Sequence, residues 1–332
     1  MRFEFYNDAI AAVPKLSVDG TVDNAVHFSH WKGNQTVAAV KADTSTEIVL
    51  NVLAAPNRRE LTRSIDLVTN NHFDTDGVLS VWSMLTGDRA LDLRDRLIAA
   101  AEAGDFSELS SVDGVRASIV IQGSDSPIDK SGSPLAAKLA GAPVADEAES
   151  YVLVLPHVED VIRNTGKYEE LWREQWRLIE TALDSFAKGA STVEEFSDVD
   201  LSLLTLAPDV FGPNGFDPAR DSAPFAAISK HAKGTLFLIA TQLNGGWAYR
   251  IDYPYYSWAE TVVRPAIDRR DLTLLLERLN QLEPSAKGSW EADTSELASA
   301  AKFASDGRLQ ASEIEPEEVV GHIRQLFSGS GF

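Results

Sequence analysis

His72, Asp74 and Asp76 stand at i, i+2 and i+4 in the run Asn71-His72-Phe73-Asp74-Thr75-Asp76-Gly77. Side chains alternate along an extended segment, so these three fall on one side of it. One imidazole and two carboxylates converging from one side can hold a divalent cation, which accepts nitrogen and oxygen donors together. The same residues also fit a plain polar loop in which an Asp caps the helix that follows. Spacing alone leaves both readings open.

The flanking sequence says what must position these groups. Residues 64–70 are predicted as a short buried strand and 78–85 as a helix, which makes the run a strand-to-helix loop. Gly77 suits the entry to the helix, because glycine tolerates positive φ and close approach. Upstream, residues 24–29 alternate and predict a strand that ends in a second polar cluster, His30-Trp31-Lys32-Gly33-Asn34. Thr44 and Glu47 have capping-box spacing, which predicts a helix over 45–53. Asp43, just before it, is either a turn residue or a carboxylate at or behind the site. A helix over 90–103 is expected to end at Gly104 as its C-cap. Asp105 then reads as a loop acid, with reach to the site as the alternative.

The remaining chain supplies scaffold. Residues 115–122 fit strand or helix, and 123–143 read as loop broken by a short helix. Residues 151–161 fit a strand ending at Pro156 or a continuous helix, with His157 as a structural histidine. A long helix over 168–187 carries the packing stripe Trp172, Trp176, Ile179 and Leu183. Strands are expected over 201–207, 235–241 and 247–253, with Asn244-Gly245-Gly246 as a hairpin turn. Helices are expected over 223–232, 271–282 and 317–327. The aromatic run 253–258 is a candidate interface between copies.

Bulk composition narrows the chemistry. The 332 residues are 44% hydrophobic and 24% charged, ordinary for a soluble globular protein. With no cysteine there is no disulfide, zinc–thiolate site, iron–sulfur cluster or Cys nucleophile, so any metal is held by His, Asp or Glu. Six histidines make each one informative. A formal net charge of −20 argues against a broad footprint on nucleic acid or anionic membrane. No apolar run is long enough to span a bilayer and no signal-peptide core opens the chain, so the cytoplasm is the expected compartment.

Two stretches together resemble the DHH phosphoesterase superfamily. His72-Phe73-Asp74-Thr75-Asp76-Gly77, followed by Ser80, is similar to the family's strand–His/Asp-x-Asp-x-Asp-Gly–helix motif. Ser29-His30-Trp31, with Asn34, Asp43 and the helix Ser45-Thr46-Glu47-Ile48-Val49, is similar to the Asp-His-His segment and the helix after it. The match departs from the pattern in two places: Ser29 replaces the usual Asp, and Trp31 replaces the usual second His. The two motifs also occur in reverse order, which implies a circularly permuted catalytic domain. A permuted sheet can still present both loops at one carboxyl edge.

The resemblance implies an α/β fold with three parts. These are a mainly parallel, metal-binding domain over 1–145, a helical connector over 146–195 and a smaller α+β substrate domain over 196–332. It implies Mn²⁺ or Mg²⁺ held by His72, Asp74, Asp76 and His30, with Asp76 bridging two ions. His27 or Asp43 would replace the lost groups, and Asp105 is a further ligand candidate. His30 and Asp76 would carry the catalysis. Lys32 and Asn34 would contact phosphate, and Trp31 would stack on a base or wall the pocket. Gly245, Gly246 and Arg250 would meet the substrate in the second half, with Arg264, Arg269 and Arg270 as further cations. The implied activity is hydrolysis of a phosphoester or phosphoanhydride, in a small phosphorylated substrate or a short nucleic-acid end. Two alternatives stand beside it: a catalytically inactive metal- or nucleotide-binding relative, and an α/β protein whose polar loop is structural.

Overall fold

Four short strands, β1 (Arg2–Phe3), β2 (Lys15–Val18), β3 (Ala25–Phe28) and β4 (Leu67–Thr69), pair wholly in parallel in the order β1-β4-β2-β3. The computed structural model describes residues 1–124, 132–293 and 297–328. Leu16, Val18, Phe28, Leu67 and Val68 are buried, as expected of parallel strands covered on both faces. Lys15 is buried too, and its ammonium donates to the carbonyls of Ile10, Ala11 and Val13, which satisfies the charge at the start of β2.

The helices that follow are α1 (Ser45–Ala54), α2 (Arg58–Leu61), α3 (Thr75–Thr86), α4 (Arg94–Phe106), α5 (Val112–Gln122), α6 (Pro134–Ala140), α7 (Glu147–Val154), α8 (Val158–Arg163) and α9 (Glu169–Lys188). The Thr44 hydroxyl accepts from Glu47 N at 3.3 Å, so Thr44 caps α1 where the sequence places its start, while the Glu47 carboxylate pairs with Arg94 instead of closing the capping box. Residues 115–122 resolve as helix α5. The stretch 151–161 resolves as helix broken at Pro156, because proline removes a donor and crowds the preceding turn. The predicted helix end at Gly104 is corrected: α4 continues to Phe106, and Ser107 takes the left-handed cap position. Gly104 is needed for a close approach, since a Cβ there would lie 2.7 Å from the Cβ of Thr75. Of the loop expected over 123–143, residues 125–131 lie outside the described residues.

The second half builds a mixed sheet ordered β11-β10-β8-β7-β6-β5, with β9 paired to β10. Its elements are β5 (Thr192–Phe196), β6 (Leu201–Leu206), α10 (Phe225–His231), β7 (Leu236–Leu243), β8 (Gly246–Asp252), α11 (Thr273–Leu282), β9 (Ser289–Ala292), β10 (Ser299–Ser305), β11 (Arg308–Leu309) and α12 (Pro316–Phe327). β6 and β7 run parallel and the other pairs antiparallel. Leu275, Leu279, Val319 and Ile323 pack a helical face on Leu238, Tyr249 and Ile251. The hairpin of β7 and β8 turns at Asn244 and Gly245, with φ of 48° and 86°, as a two-residue primed turn requires.

The fold is therefore α/β, with one parallel and one mixed sheet. It divides into two compact units: Met1–Trp176 with Trp258–Ala266, and Arg177–Ser257 with Ile267–Phe332. The expected connector over 146–195 is not a separate body. Its first part belongs to the first unit, where Tyr151 is buried against Phe3, Phe5 and Phe73. The aromatic run 253–258 is not an exposed patch either, because Tyr253, Tyr255 and Trp258 are buried within the chain.

Candidate metal centre

Three parallel strands deliver the site at their carboxyl ends, where α/β sheets hold ligands. β2 runs into Asp19, β3 into His30, and β4 into the loop of His72 and Asp74. Asn70 ties these ends together: its Oδ1 accepts from Gly20 N at 3.1 Å and from Asn71 N at 2.7 Å. Its Nδ2 donates to the Tyr151 hydroxyl, which in turn donates to the carbonyl of His72. A Cβ at Gly20 would lie 2.1 Å from Asn71 Oδ1 and 2.7 Å from the buried Asn70 Oδ1, so a side chain there would push on the amide that joins the two loops.

Two groups of ligand-type side chains result, and each could hold a metal ion. The inner group is Asp19, His30, Asp76 and Asp105, all buried. His30 Nε2 lies 3.1 Å from Asp105 Oδ2, 3.5 Å from Asp19 Oδ1 and 3.7 Å from Asp76 Oδ2. The outer group is Asp19, His72 and Asp74. His72 Nε2 lies 2.8 Å from Asp19 Oδ2 and 3.0 Å from Asp74 Oδ2. Asp19 belongs to both groups and offers one carboxylate oxygen to each.

The histidine tautomers suit this arrangement. His30 Nδ1 is 2.6 Å from the carbonyl of Asp43, which can only accept, so Nδ1 carries the proton. His72 Nδ1 faces Asn71 Oδ1 at 3.0 Å in the same way. Both rings therefore turn Nε2 toward carboxylates, the pattern of a metal-ligating imidazole oriented by an outer carbonyl. Asp19 Oδ2, His30 Nε2 and His72 Nε2 are buried with no well-formed hydrogen bond among the described residues. Buried polar atoms of this kind are costly unless something compensates them, and a cation between them would do so.

With the protein's own charges alone, protons must compensate. Burial disfavours a charged His30, but the close Asp105 carboxylate, with Asp76 and Asp19, outweighs burial and raises the imidazole to about 10. His72 is raised for the same reason by Asp74 and Asp19 against burial. Burial and the neighbouring Asp19 push Asp76 up to about 7, and Asp105 is raised by burial and by Asp74 and Asp76. Asp19 is desolvated as well, yet His72 and His30 draw it down to about 2.

Local structure explains each placement. Asp74 caps α3, its Oδ1 accepting from Gly77 N at 2.7 Å, while its Oδ2 faces His72. Capping and ligation are thus both served by one side chain. Asp76 lies in the first turn of α3 and accepts from Ser45 N and Thr46 N, both at 2.7 Å, at the start of α1. Because Asp76 is helical, the expected convergence of His72, Asp74 and Asp76 on one side is corrected: they divide between the two groups. Asp76 contributes to the inner group alone, and the residue common to both groups is Asp19. Asp105 reaches the inner group because α4 extends past Gly104.

Other expected ligands fall elsewhere. His27 Nε2 meets the Val22 carbonyl and its Nδ1 accepts from Gln35 N, so it is outside both groups. The Asp43 carboxylate accepts from Val263 N, Arg264 N and the Arg264 guanidinium, which leaves only its carbonyl for His30. Ser29 donates to the carbonyl of Asp19 and so helps fix the backbone of that residue. The Trp31 ring packs 5.2 Å from that of His72 and 4.8 Å from that of Trp258. Asn34 is held by Glu260 and the Trp31 carbonyl, and Lys32 lies exposed on the same loop.

Gly245, Gly246 and Arg250 belong to the second unit and have local roles there. Gly245 forms the turn, Gly246 packs against the Ser312 carbonyl, and Arg250 pairs with Asp252 at 3.0 Å. Arg269 lies over the Tyr253 ring, and Arg270 donates to the Val199 carbonyl. Arg264 pairs with Asp43, Glu102 and Glu108.

Asp19 is the candidate site residue that sequence reasoning missed. Its only local sign is Asp-Gly directly after the alternating stretch 15–18, at a position with φ of 66° that Asp tolerates. A cavity of about 430 Å³ opens beside the outer group, lined by His72, Asp74 and Asp105 and on its other walls by Phe73, Gln122 and Val144. No helix among the described residues is long and apolar enough to cross a membrane.

Comparison with known proteins gives a family without an assigned activity. No curated protein and no solved structure matches the chain significantly. The model of the family described as "Family of unknown function (DUF6687)" matches residues 1–329, and the chain belongs to that family.

Proposed function

We propose that the protein is a Mn²⁺- or Mg²⁺-dependent phosphohydrolase that cleaves a phosphoester or phosphoanhydride of nucleotide or short-oligonucleotide type. The observation that carries this reading is Asp19, whose carboxylate is shared by two ligand groups that each contain an imidazole turned Nε2-inward. Two oxygen-rich sites sharing a carboxylate suit a pair of hard divalent cations. Cations bound there would supply Lewis acidity, acidifying a water and offsetting charge on phosphate oxygens.

The chain's own part is to hold and orient. Asp19, His30, Asp76 and Asp105 form the more deeply buried inner set, which meets the cavity through Asp105, and His72 and Asp74 leave the outer set more open to the same cavity. Trp31 walls the side next to His72 and offers a planar face to a base. The acidic cavity repels phosphate unless cations are present, so chelation is expected to abolish activity. The reversed motif order belongs to this reading as a permuted catalytic domain.

A catalytically inactive metal- or nucleotide-binding protein is the second reading, favoured by Trp31 in the place of a ligand. The experiment that separates them is a screen of Mn²⁺-loaded protein on bis(p-nitrophenyl) phosphate, short oligonucleotides, cyclic dinucleotides and pyrophosphate, with EDTA controls. Turnover of one class that EDTA stops supports the hydrolase. Mn²⁺ or nucleotide binding without turnover of any class supports the binding protein, and absence of both metal and nucleotide binding sinks both readings.

A further inference from the structure

The chain enters the first unit for a second time as one strap, Trp258–Ala266. Its contacts fall on His30 and on residues next to the inner group. Trp258 presents its ring edge-on to His30 at 4.9 Å. Glu260 N donates to the His30 carbonyl at 2.7 Å, and the Glu260 carboxylate accepts from Gly33 N, Asn34 and Lys41. The consecutive N–H groups of Val262, Val263 and Arg264 all donate to the Asp43 carboxylate.

Asp43 is thus used at both ends. Its carboxylate grips the strap, and its carbonyl holds His30 Nδ1 at 2.6 Å. Arg264 adds a second connection. Its guanidinium pairs with Asp43 at 2.8 Å, with Glu102 at 2.7 Å and with Glu108 at 2.6 Å. Glu102 lies on α4, one turn before Asp105. One arginine therefore braces the residue that orients His30 and the helix end that carries Asp105, and those two ligands face each other at 3.1 Å.

We propose that the strap is a positioning element for the inner cation site, that Arg264 is its positioning residue, and that strap docking and cation binding are thermodynamically linked. The inference rests on the metal reading above. Linkage is reciprocal: if the docked strap favours the ligand geometry, a bound cation must favour the docked strap by the same factor. Groups that orient metal ligands from behind typically change affinity by about 10- to 100-fold when removed.

The test uses the full-length protein and Mn²⁺ alone. Hydrogen exchange of the wild type should show the amides of 262–264 at least about tenfold more protected with Mn²⁺ than in EDTA. By calorimetric titration Arg264→Ala should bind the tighter Mn²⁺ about 10- to 100-fold more weakly. Arg264→Lys, which keeps one charge but not the fork, should fall between them. Equal exchange with and without bound Mn²⁺, or wild-type affinity in a folded Arg264→Ala, overturns the proposal. Should Arg264→Ala not fold, the wild-type exchange result decides alone. Wild type that binds no Mn²⁺ removes the metal reading and this inference with it, whereas wild type that binds Mn²⁺ without strap protection removes only the inference.

Discussion

The inner and outer ligand groups share Asp19 but differ in almost everything else. In the inner group the side chains of His30 and Asp76 are fully buried and Asp105 is 5% exposed. In the outer group His72 and Asp74 are 20% and 26% exposed and line the cavity. The inner ligands come from three separate parts of the chain beyond Asp19, and helix ends and the strap brace them from behind. The outer pair sits two residues apart on one loop. Closed sites with a full protein ligand set hold an ion, while sites with fewer protein ligands leave positions for water or substrate. Under the proposed metal reading, the contrast would have the inner group retain its ion and the outer group exchange it.

The largest effect should come from breaking what the two groups share. Asp19→Asn is expected to lower kcat/KM by roughly 100-fold or more and to weaken both Mn²⁺ equilibria, measured by calorimetry and by turnover on the responsive substrate class. It is the cleaner probe, because Asp74 and Asp76 also cap helices and their loss confounds ligation with folding.

Separating the groups should follow. Asp105→Asn should weaken the tight Mn²⁺ about 10- to 100-fold, and His72→Ala should remove the weaker Mn²⁺ while sparing the tight one. Equal weakening of both ions by each variant would collapse the two groups into one site.

Acidity sharpens the comparison further. Burial and Asp19 push Asp76 up to about 7, and Asp105, Asp76 and Asp19 hold His30 near 10 against burial, so His30 and, below about 7, Asp76 carry protons that a cation must displace. Inner-site affinity should therefore rise with pH between about 6 and 8, with proton release visible in buffers of different ionisation enthalpy. A flat affinity over that interval would place the tight ion elsewhere. The stability of the free protein has the opposite sign for His30: its raised pKa contributes fully below about 6.5 and is lost as pH rises through about 10.

The smallest effect concerns the cap. Asp74→Ala should cost about 1 kcal/mol from α3, read as a melting shift of a few degrees in EDTA. Asp74→Asn should recover most of it, because Asn also caps, while failing to restore the second Mn²⁺.

Local signals were legible where chemistry and neighbours lie close in the chain. The Thr44 cap, the Asn244-Gly245 turn and the α9 packing stripe depend on contacts a few residues apart; the cap and the turn form where expected, and Trp172, Trp176 and Ile179 of the stripe are buried while Leu183 is half-buried. Helix ends that depend on distant packing were not legible. Gly104 reads as a stop, but its real constraint is the approach of Thr75 across α3 and α4, and only that approach carries Asp105 to His30. His27 alternates onto the same strand as the site and still points to Val22, because its partner is set by how the preceding loop folds back.

By itself the sequence determined that any cation here is held by His and carboxylate, because the chain has no cysteine. It also determined that the His72 loop joins a strand to a helix and that the His30 loop has a capped helix soon after. Tertiary structure decided which carboxylates meet. Asp19, His30, Asp76 and Asp105 are brought together only when the carboxyl ends of parallel strands align and the ends of α1, α3 and α4 close over them. Strand order and helix packing set those distances, and neither is written in the spacing of any one stretch.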